Sequence, residues 1–280
     1  MPKFGMLVRI DRCNGCYNCY LACRDEFESN DHLPYSAAQS VEGRSWMRVT
    51  EKERGSIPKV KVDYVATPCL HCAKAPCVEQ SEDGAVYRRP DGIVLIDPEK
   101  ARGRREILSD CPHRLIQWNE EKKIPQKCTF CAHLLDMGWK EPRCVEACPA
   151  GALVFGDLDD PESEISKLMA SSKPEELNPE FGLNPAVRYL HLPKRFIQGE
   201  VLLGNRTGEC APGVKVQLTD GANTLECHTD GFGDFEFDGL QASMTYTLRV
   251  AHMGYGTVEK AVTTHSDLNV GVIELEPFVR

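Results

Sequence analysis

Cysteine spacing constrains this chain more than any other feature. Twelve of its fourteen cysteines form four groups. These groups are Cys13, Cys16, Cys19 and Cys23; Cys69, Cys72 and Cys77; Cys111 alone; and Cys128, Cys131, Cys144 and Cys148. The first group is a C-x2-C-x2-C-x3-C run, a pattern that places three thiolates on one four-iron cluster and the fourth on a neighbouring cluster. Proline follows Cys111 and Cys148, as in ferredoxins. The count therefore predicts three four-iron clusters and a protein that carries electrons.

Zinc and disulfides are the alternatives for these cysteines. A zinc site uses four ligands, usually two C-x2-C pairs or one pair with histidines, and the last group taken alone fits that pattern. The first group does not, because three cysteines recur at a three-residue pitch. Disulfides are disfavoured in a chain of this length without a signal peptide. The two remaining cysteines, Cys210 and Cys227, are expected to be free and partly buried thiols.

Several polar residues adjoin the cysteines, and the sequence leaves their roles open. His71, His113 and His133 are either ligands or residues outside the ligand shell, and the second is favoured because twelve cysteines already supply three clusters. Lys74, Lys127 and Arg143 either stabilise a reduced cluster or are simply solvated. The basic run Arg102, Arg104 and Arg105 is expected to be a solvated loop or a partner contact rather than an anion site.

Composition narrows the class of protein. The chain has 280 residues, enough for two domains, and 33 basic against 42 acidic residues give a net charge of −9. This charge argues against nucleic acid as a partner. No run of eighteen apolar residues and no signal sequence is visible, which predicts a cytoplasmic protein without a membrane anchor. Export together with a signal-bearing partner is the alternative. Nucleotide loops and a Ser-His-Asp set are also absent from the sequence, so no catalytic residue is expected.

The pattern along the chain predicts an α+β protein with two domains. Residues 1–155, with an insertion at 24–68, are expected to form a tandem ferredoxin-like unit with short strands at Gly5–Ile10, Val86–Arg88, Ile93–Ile96 and Leu153–Phe155. The insertion is expected to be an ordered loop that faces a partner, or plain surface cover. Residues 156–196 are predicted to be a linker that begins with a helix over Pro161–Ser172 and continues through four prolines.

The last third of the chain alternates apolar and polar residues. Examples are Val214, Val216 and Leu218, then Phe235 and Phe237, then Tyr246, Leu248 and Val250. Asp-Gly pairs separate these runs, so about seven short strands in a sandwich are expected over residues 197–280. The segments Gly199–Val201, Pro212–Val216 and Thr229–Phe235 resemble the transthyretin-like domains that follow carboxypeptidase catalytic units. That resemblance implies docking or stabilisation, with no chemistry of its own.

The first half resembles the iron–sulfur subunits of molybdopterin oxidoreductases of the dimethyl-sulfoxide-reductase family. The resemblance is carried by Cys13–Cys23, Trp46–Val49, Pro68–Cys72, Asp91–Val94, Cys111-Pro112 and Cys128–Pro149. Common members have four clusters, and this sequence lacks four of their ligands, at Ser81, Ala101, Arg104 and Ile107. In the family's scheme those four positions hold one cluster. The resemblance then implies cluster A on Cys13, Cys16, Cys19 and Cys148, cluster B on Cys23, Cys128, Cys131 and Cys144, and cluster C on Cys69, Cys72, Cys77 and Cys111.

Three clusters followed by a transthyretin-like tail resemble the small subunits of enzymes of the pyrogallol–phloroglucinol transhydroxylase and resorcinol hydroxylase type. The resemblance implies a heterodimer whose large subunit holds molybdenum on two pterin guanine dinucleotides and acts on polyhydroxylated phenols. The missing cluster lies next to the membrane anchor in other members, so no such anchor is expected. Two alternatives remain: a subunit of another family reductase, for arsenic or sulfur oxyanions, and a scaffold whose clusters only brace the fold.

Overall fold

A computed structural model describes residues 1–204 and 210–278 of the chain. The chain forms two compact units, each built from two segments of sequence. The first unit comprises Met1–Lys52 and Asp63–Leu192, and the second comprises Glu53–Val62 and Pro193–Arg280. No helix among the described residues is long and apolar enough to cross a membrane.

The elements up to residue 192 are short. The strands are β1 Phe4–Arg9, β2 Arg48–Ser56, β3 Lys59–Thr67, β4 Val86–Arg88, β5 Val94–Ile96, β6 Gln117–Asn119, β7 Ile124–Gln126, β8 Leu153–Asp157 and β9 Val187–Leu190. The helices are α1 Asn18–Phe27, α2 Pro76–Glu79, α3 Ala132–Asp136, α4 Arg143–Glu146 and α5 Glu164–Ser171. The strands predicted around Val8, Tyr87, Leu95 and Val154 are all present: the one around Tyr87 has the predicted ends, and the others differ by one or two residues.

The central sheet of the first unit has the order β8-β1-β9. Strand β1 lies in the middle, antiparallel to β8 and parallel to β9, and Met6, Leu7 and Val8 at its centre are fully buried. A strand covered on both faces carries a continuous apolar run, which is what this segment has. Residues of this sheet, Val8 and Leu153, also line the recess that contains Cys13, Cys16, Cys19 and Cys148.

The segment after β8 is more ordered than its prolines suggested. Helix α5 begins after Ser163, whose hydroxyl accepts a hydrogen bond from the Ser166 amide as an N-cap. Its apolar face carries Ile165, which is fully buried. Strand β9 then pairs with β1, so this part of the predicted linker contributes a strand to the central sheet. Pattern-based reasoning missed β9 because it is only four residues long and three prolines precede it.

The second unit is a sandwich of two sheets. Its strands are β10 Arg195–Leu203, β11 Lys215–Thr219, β12 Thr224–His228, β13 Asp234–Leu240, β14 Thr245–Ala251, β15 Val258–Thr263 and β16 Leu268–Leu275. One sheet has the order β13-β10-β16 and the other β12-β11-β14-β15. Alternate residues of β11 and β14 are buried, as the pattern predicted. The all-β sandwich is thereby confirmed.

The predicted insertion contains a β-hairpin formed by β2 and β3. The hairpin tip, Glu53–Val62, belongs to the second unit. Within that unit, Arg54 forms an ion pair with Asp267 at 3.3 Å, and both side chains are almost fully buried. Lys61 contacts Glu236 at 2.5 Å and Asp238 at 2.6 Å. The hairpin tip is therefore an integral part of the sandwich unit.

Candidate metal centres

The twelve spaced cysteines converge in three sets, and all fourteen cysteines of the chain are free thiols. Thiol set A consists of Cys13, Cys16, Cys19 and Cys148. They line one recess beneath β1, with Val8, Ala66 and Leu153 as apolar walls. Burial raises the pKa of the Cys19 thiol to about 12, and the nearby Cys13 and Cys148 sulfurs add to the rise. Four cysteines that line one small recess lie close enough to share one metal centre.

Thiol set B consists of Cys23, Cys128, Cys131 and Cys144, and all four residues are buried. Cys23 lies in helix α1, Cys128 and Cys131 precede helix α3, and Cys144 lies in helix α4. Burial raises the pKa of Cys144 well above its ordinary value, followed by the effects of Cys131, Cys128 and Cys23. The set is thus built from three separate helical segments.

Thiol set C consists of Cys69, Cys72, Cys77 and Cys111. They line a second recess, together with His71, Lys127 and the apolar side chains of Leu115, Ile116 and Leu183. Burial raises the pKa of Cys72 to about 12, with contributions from the other three sulfurs. Cys111 reaches the set from a different part of the chain, which is why a lone Cys-Pro pair belongs to this group.

Set B lies between sets A and C. Cys144 of set B is affected by Cys19 of set A, and Cys128 of set B is affected by Cys69 of set C. Set B therefore neighbours both other sets, and the order A, B, C is called the row below. Such a row is suited to passing electrons from one end of the unit to the other.

Left-handed backbone conformations shape the ligand loops. Positive φ angles occur at Gly15, Tyr17, His71, Phe130 and Cys131, all within the cysteine loops. Residues other than glycine rarely adopt this region, and where they do the strain is usually tied to a functional site. At Gly15 (φ 69°) a Cβ atom would lie 2.5 Å from the ring of Tyr64, so only glycine fits.

Backbone amides point at the sulfurs of all three sets. The amide of Ala152 donates to Cys148 Sγ at 3.3 Å, that of Phe130 to Cys128 Sγ at 3.4 Å, and that of Leu115 to Cys111 Sγ at 3.5 Å. The amides of Met47 and Trp46 also lower the pKa of Cys23 against the larger effect of burial. N–H groups directed at sulfur favour the charged form of the sulfur.

These residues fit four-iron clusters. Four thiols gathered in one place are poor anions on their own, because each thiolate would repel the others. A cationic metal centre removes that penalty and deprotonates the thiols that coordinate it. Tetrahedral thiolate sites also suit zinc, but the interleaving of ligands between sets A and B through the C-x2-C-x2-C-x3-C run is a property of cluster loops. The assignment of one cluster to each set remains a prediction.

The histidines beside the cysteines have protein partners. His133 contacts Glu26 at 2.9 Å, and its ring stacks on His32 with centroids 3.8 Å apart. His113 is buried and contacts Asn178 at 3.3 Å. His71 is buried, and its ring lies tilted against that of Phe130 with centroids 3.8 Å apart. These contacts favour roles outside the ligand shell.

The charged neighbours divide into two kinds. Arg143 pairs with Glu26 and Glu146 at a partly exposed position, and Lys74 is exposed. The basic run is also paired: Arg102 bonds the carbonyl of Lys122, Arg104 contacts Asp83 and Glu106, and Arg105 contacts Glu120. Lys127, in contrast, is buried at the edge of set C.

The four positions that lack ligands are packed by ordinary side chains. Ala101 and Ile107 are buried in an apolar cluster with Val86 and Ile96. Ser81 and Arg104 both bond Asp83, at 3.2 Å and 2.7 Å. An apolar core and an ion pair therefore occupy the place where the family's scheme puts a fourth cluster.

Arg88 is a residue that pattern-based reasoning missed. Its guanidinium donates to the carbonyl of Cys72 at 2.6 Å and to that of Ala73 at 2.9 Å, and so fixes the loop that carries set C. No spacing rule identifies such a residue, because it lies in a strand sixteen positions along the chain. Only the fold brings it to the loop.

Comparison with known proteins agrees with this description. Residues 60–158 match the family model of the 4Fe-4S dicluster domain, and residues 197–275 match that of the carboxypeptidase regulatory-like domain. Both matches support the predicted fold class.

Three curated relatives are informative. The pyrogallol hydroxytransferase small subunit of Pelobacter acidigallici is 38% identical, over 98% of this chain and 100% of the relative. The iron–sulfur subunit ArrB of the arsenate respiratory reductase from Shewanella sp. (strain ANA-3) is 30% identical, over 67% and 96%. A sulfite dehydrogenase subunit from Allochromatium vinosum is 33% identical, over 81% and 98%.

Proposed function

Because this chain belongs to the family of electron-transfer iron–sulfur subunits of molybdopterin enzymes, we propose that it serves a large molybdenum subunit that acts on polyhydroxylated phenols. In this proposal the chain holds three four-iron clusters, on thiol sets A, B and C. The partner holds molybdenum on two pterin guanine dinucleotides, and the two chains form a heterodimer without a membrane anchor. The chain itself has no substrate site.

The row of three thiol sets is the observation that carries this proposal. Four-iron clusters supply one-electron carriers when bound, and the protein's part is to space, bury and charge them. Sets A and C both contain exposed or half-buried cysteines, whereas every cysteine of set B is buried, so A and C are the two ends. In the geometry of the family, set A is the end next to molybdenum. Set A then faces the molybdenum subunit, set B relays, and set C is the terminus. The apolar side chains packed around Ile107 leave no fourth cluster site beyond set C.

The substrate class rests on the extent of the relatives. The relative that matches along the whole chain, including the sandwich, is named as a pyrogallol hydroxytransferase subunit. The arsenate reductase subunit matches only 67% of this chain. A tail shared with the phenol enzyme supports a phenolic substrate. A reductase of arsenic or sulfur oxyanions is the second candidate, and it predicts a different substrate for the same electron path.

Coexpression of the chain with its molybdenum subunit tests the proposal. Anaerobic purification is expected to give a complex with about twelve irons and twelve sulfides per copy of this chain. The complex should convert pyrogallol or resorcinol, while the isolated chain should exchange electrons and convert neither. Arsenate and tetrathionate serve as the competing substrates. A complex with bound zinc, with about sixteen irons, or with activity only on the oxyanions would contradict the corresponding part of the proposal.

A further inference from the structure

Two buried polar side chains beside thiol set C lack the partner that would balance them. These are Lys127, a cation, and His71, a hydrogen-bond donor. Lys127 is 3% exposed, and its ammonium donates to the carbonyls of Val94 and, at 3.1 Å, Cys128. Within residues 1–204 and 210–278, no carboxylate lies within ion-pairing distance of it. His71 is 2% exposed, and its Nε2 has no hydrogen-bond partner among these residues.

The hydrogen bond at the other ring nitrogen fixes the proton of His71. The amide of Val94 donates to Nδ1 at 2.9 Å, so Nδ1 is the acceptor and carries no proton. In the neutral ring the proton is then on Nε2, which is a buried N–H donor without an acceptor. Both His71 and Lys127 line the recess of set C. The recess is therefore lined by an ammonium without a carboxylate partner, on Lys127, and by an N–H donor without an acceptor, on His71.

Such groups are costly unless something negative lies next to them. An isolated buried ion loses its hydration, and a buried donor without an acceptor loses the hydrogen bond that water would give it. Two neutral carbonyls do not balance an ammonium charge. An iron–sulfur centre with its four thiolates is negatively charged, accepts hydrogen bonds at sulfur, and becomes more negative on reduction. It would supply the partner that both groups lack.

We propose that Lys127 and His71 are positioning residues that raise the reduction potential of the cluster on set C and make it the electron acceptor at the end of the row. The proposal rests on the proposed function, because it requires clusters on the thiol sets. Beyond the proposed function, it names the residues that determine the direction of electron flow. Hydrogen bonds and local charge are among the known determinants of cluster potential.

The reach of the Lys127 charge agrees with this role. Lys127 lines the recess of set C, its ammonium donates to the carbonyl of Cys128 at 3.1 Å, and it is not among the residues that line the recess of set A. Cys128 belongs to set B. The charge should thus act mainly on set C, less on set B and negligibly on set A.

Replacement of Lys127 by methionine, in the complete complex, tests the inference. Methionine keeps an unbranched apolar stem and removes the charge. Potentiometric titration followed by electron paramagnetic resonance should show at least a tenfold weaker reduction of the cluster on set C, equivalent to about 59 mV for a one-electron couple. The cluster on set B should shift less, and that on set A should not shift. His71→Phe should lower the potential of set C alone.

Lys74→Met is the matched control, because Lys74 is an exposed cation in the same cysteine loop. It should leave all three potentials unchanged. Iron and sulfide analysis of each protein separates the two levels of the argument: an unmodified complex without about twelve irons contradicts the proposed function itself. If Lys127→Met loses the cluster, Lys127→Arg decides. Retention of the cluster in the arginine variant supports a charge role, and loss in both variants overturns it.

Three further results would overturn the inference. The first is a set C potential that Lys127→Met leaves unchanged in a fully loaded complex. The second is an equal shift of all three clusters, which would indicate a general loosening of the fold. The third is an effect of Lys74→Met as large as that of Lys127→Met, which would show that burial of the charge is irrelevant.

Discussion

Single residues decide which thiol belongs to which set. Cys111 is remote in sequence from Cys69, Cys72 and Cys77, yet all four line one recess. Cys23 and Cys19 are neighbours in helix α1, yet they belong to different sets. Interleaving of this kind means that a point substitution should affect one cluster and spare the others.

Replacement of Cys111 by serine tests this pairing. The substitution should disturb only the cluster on Cys69, Cys72 and Cys77, because the other two sets keep all four thiols. Electron paramagnetic resonance of the reduced protein should show two unchanged signals and one that is lost or shifted. Cys227→Ser, outside the sets, is the control and should change none. Loss of the signal that depends on Cys128 and Cys131 would show that the pairing is wrong.

Some of these residues were predictable from the sequence and some were not. The twelve cysteines could be identified by their spacing, because cluster ligands obey strict spacing, and the four positions without ligands follow from the resemblance to the four-cluster family. The buried state of Lys127 and the contact of Arg88 with the Cys72 loop could not, because both depend on strands far away in sequence. Spacing rules describe what one loop can hold, and tertiary contacts decide what surrounds it.

At the scale of elements, the β2–β3 hairpin is the part that composition described least well. Its mixed charges suggested a surface loop, whereas its tip lies in the sandwich unit. The charged residues have specific partners there: Arg54 with Asp267, and Lys61 with Glu236 and Asp238. A charged residue is expected to be exposed, but it can be buried where the fold places a residue of opposite charge beside it.

Replacement of Asp267 by alanine measures the value of this anchor. The carboxylate pairs with Arg54, accepts a hydrogen bond from the Phe196 amide at 3.1 Å, and is 5% exposed. Its removal takes one partner from a buried ion pair, so the free energy of unfolding should fall by about 3–5 kcal/mol. Glu226→Ala, which breaks an exposed pair with Lys215, should cost about 0–1 kcal/mol. Equal effects in denaturant titrations would show that burial of the pair does not matter.

The former cluster position makes a second test at this scale. Replacement of Ser81, Ala101, Arg104 and Ile107 by cysteine would supply the four ligands of the family's scheme. The space is filled, however, since Ala101 and Ile107 are fully buried and Arg104 is paired with Asp83. We expect the quadruple substitution to keep about twelve irons and to melt at a lower temperature, as cavity-forming changes do. Incorporation of about sixteen irons would show that the site is latent and only its ligands were lost.

At the scale of the whole molecule, the two units separate the clusters from the sandwich. All twelve cysteines of the three sets lie in the first unit. A chain that ends at Leu192 should therefore keep its three clusters, and iron analysis with electron paramagnetic resonance checks this. The hairpin tip loses Glu236 and Asp267, so its amides should exchange hydrogen faster than in the full chain. Loss of clusters on truncation would show that the sandwich is needed to fold the first unit.

The whole complex finally determines whether the row of thiol sets conducts in every turnover. A transhydroxylase moves a hydroxyl group from one phenol ring to another, so the electrons balance between the two substrates and none leave. A hydroxylase takes its oxygen from water and releases two electrons and two protons, and the electrons must leave through this chain to an external acceptor.

Cys72→Ala should damage the cluster on set C and so distinguishes the two reactions. Full steady-state conversion of pyrogallol in this variant indicates a transhydroxylase, whereas conversion lost together with acceptor reduction indicates a hydroxylase. Cys227→Ala is the control and should retain both activities. Because the phenol relative is a hydroxytransferase that matches along the whole chain, we expect the first outcome. A Cys72→Ala variant that lacks the cluster on set C, oxidises the phenol and still reduces the acceptor in step would contradict both assignments, because the electrons would then leave without passing set C.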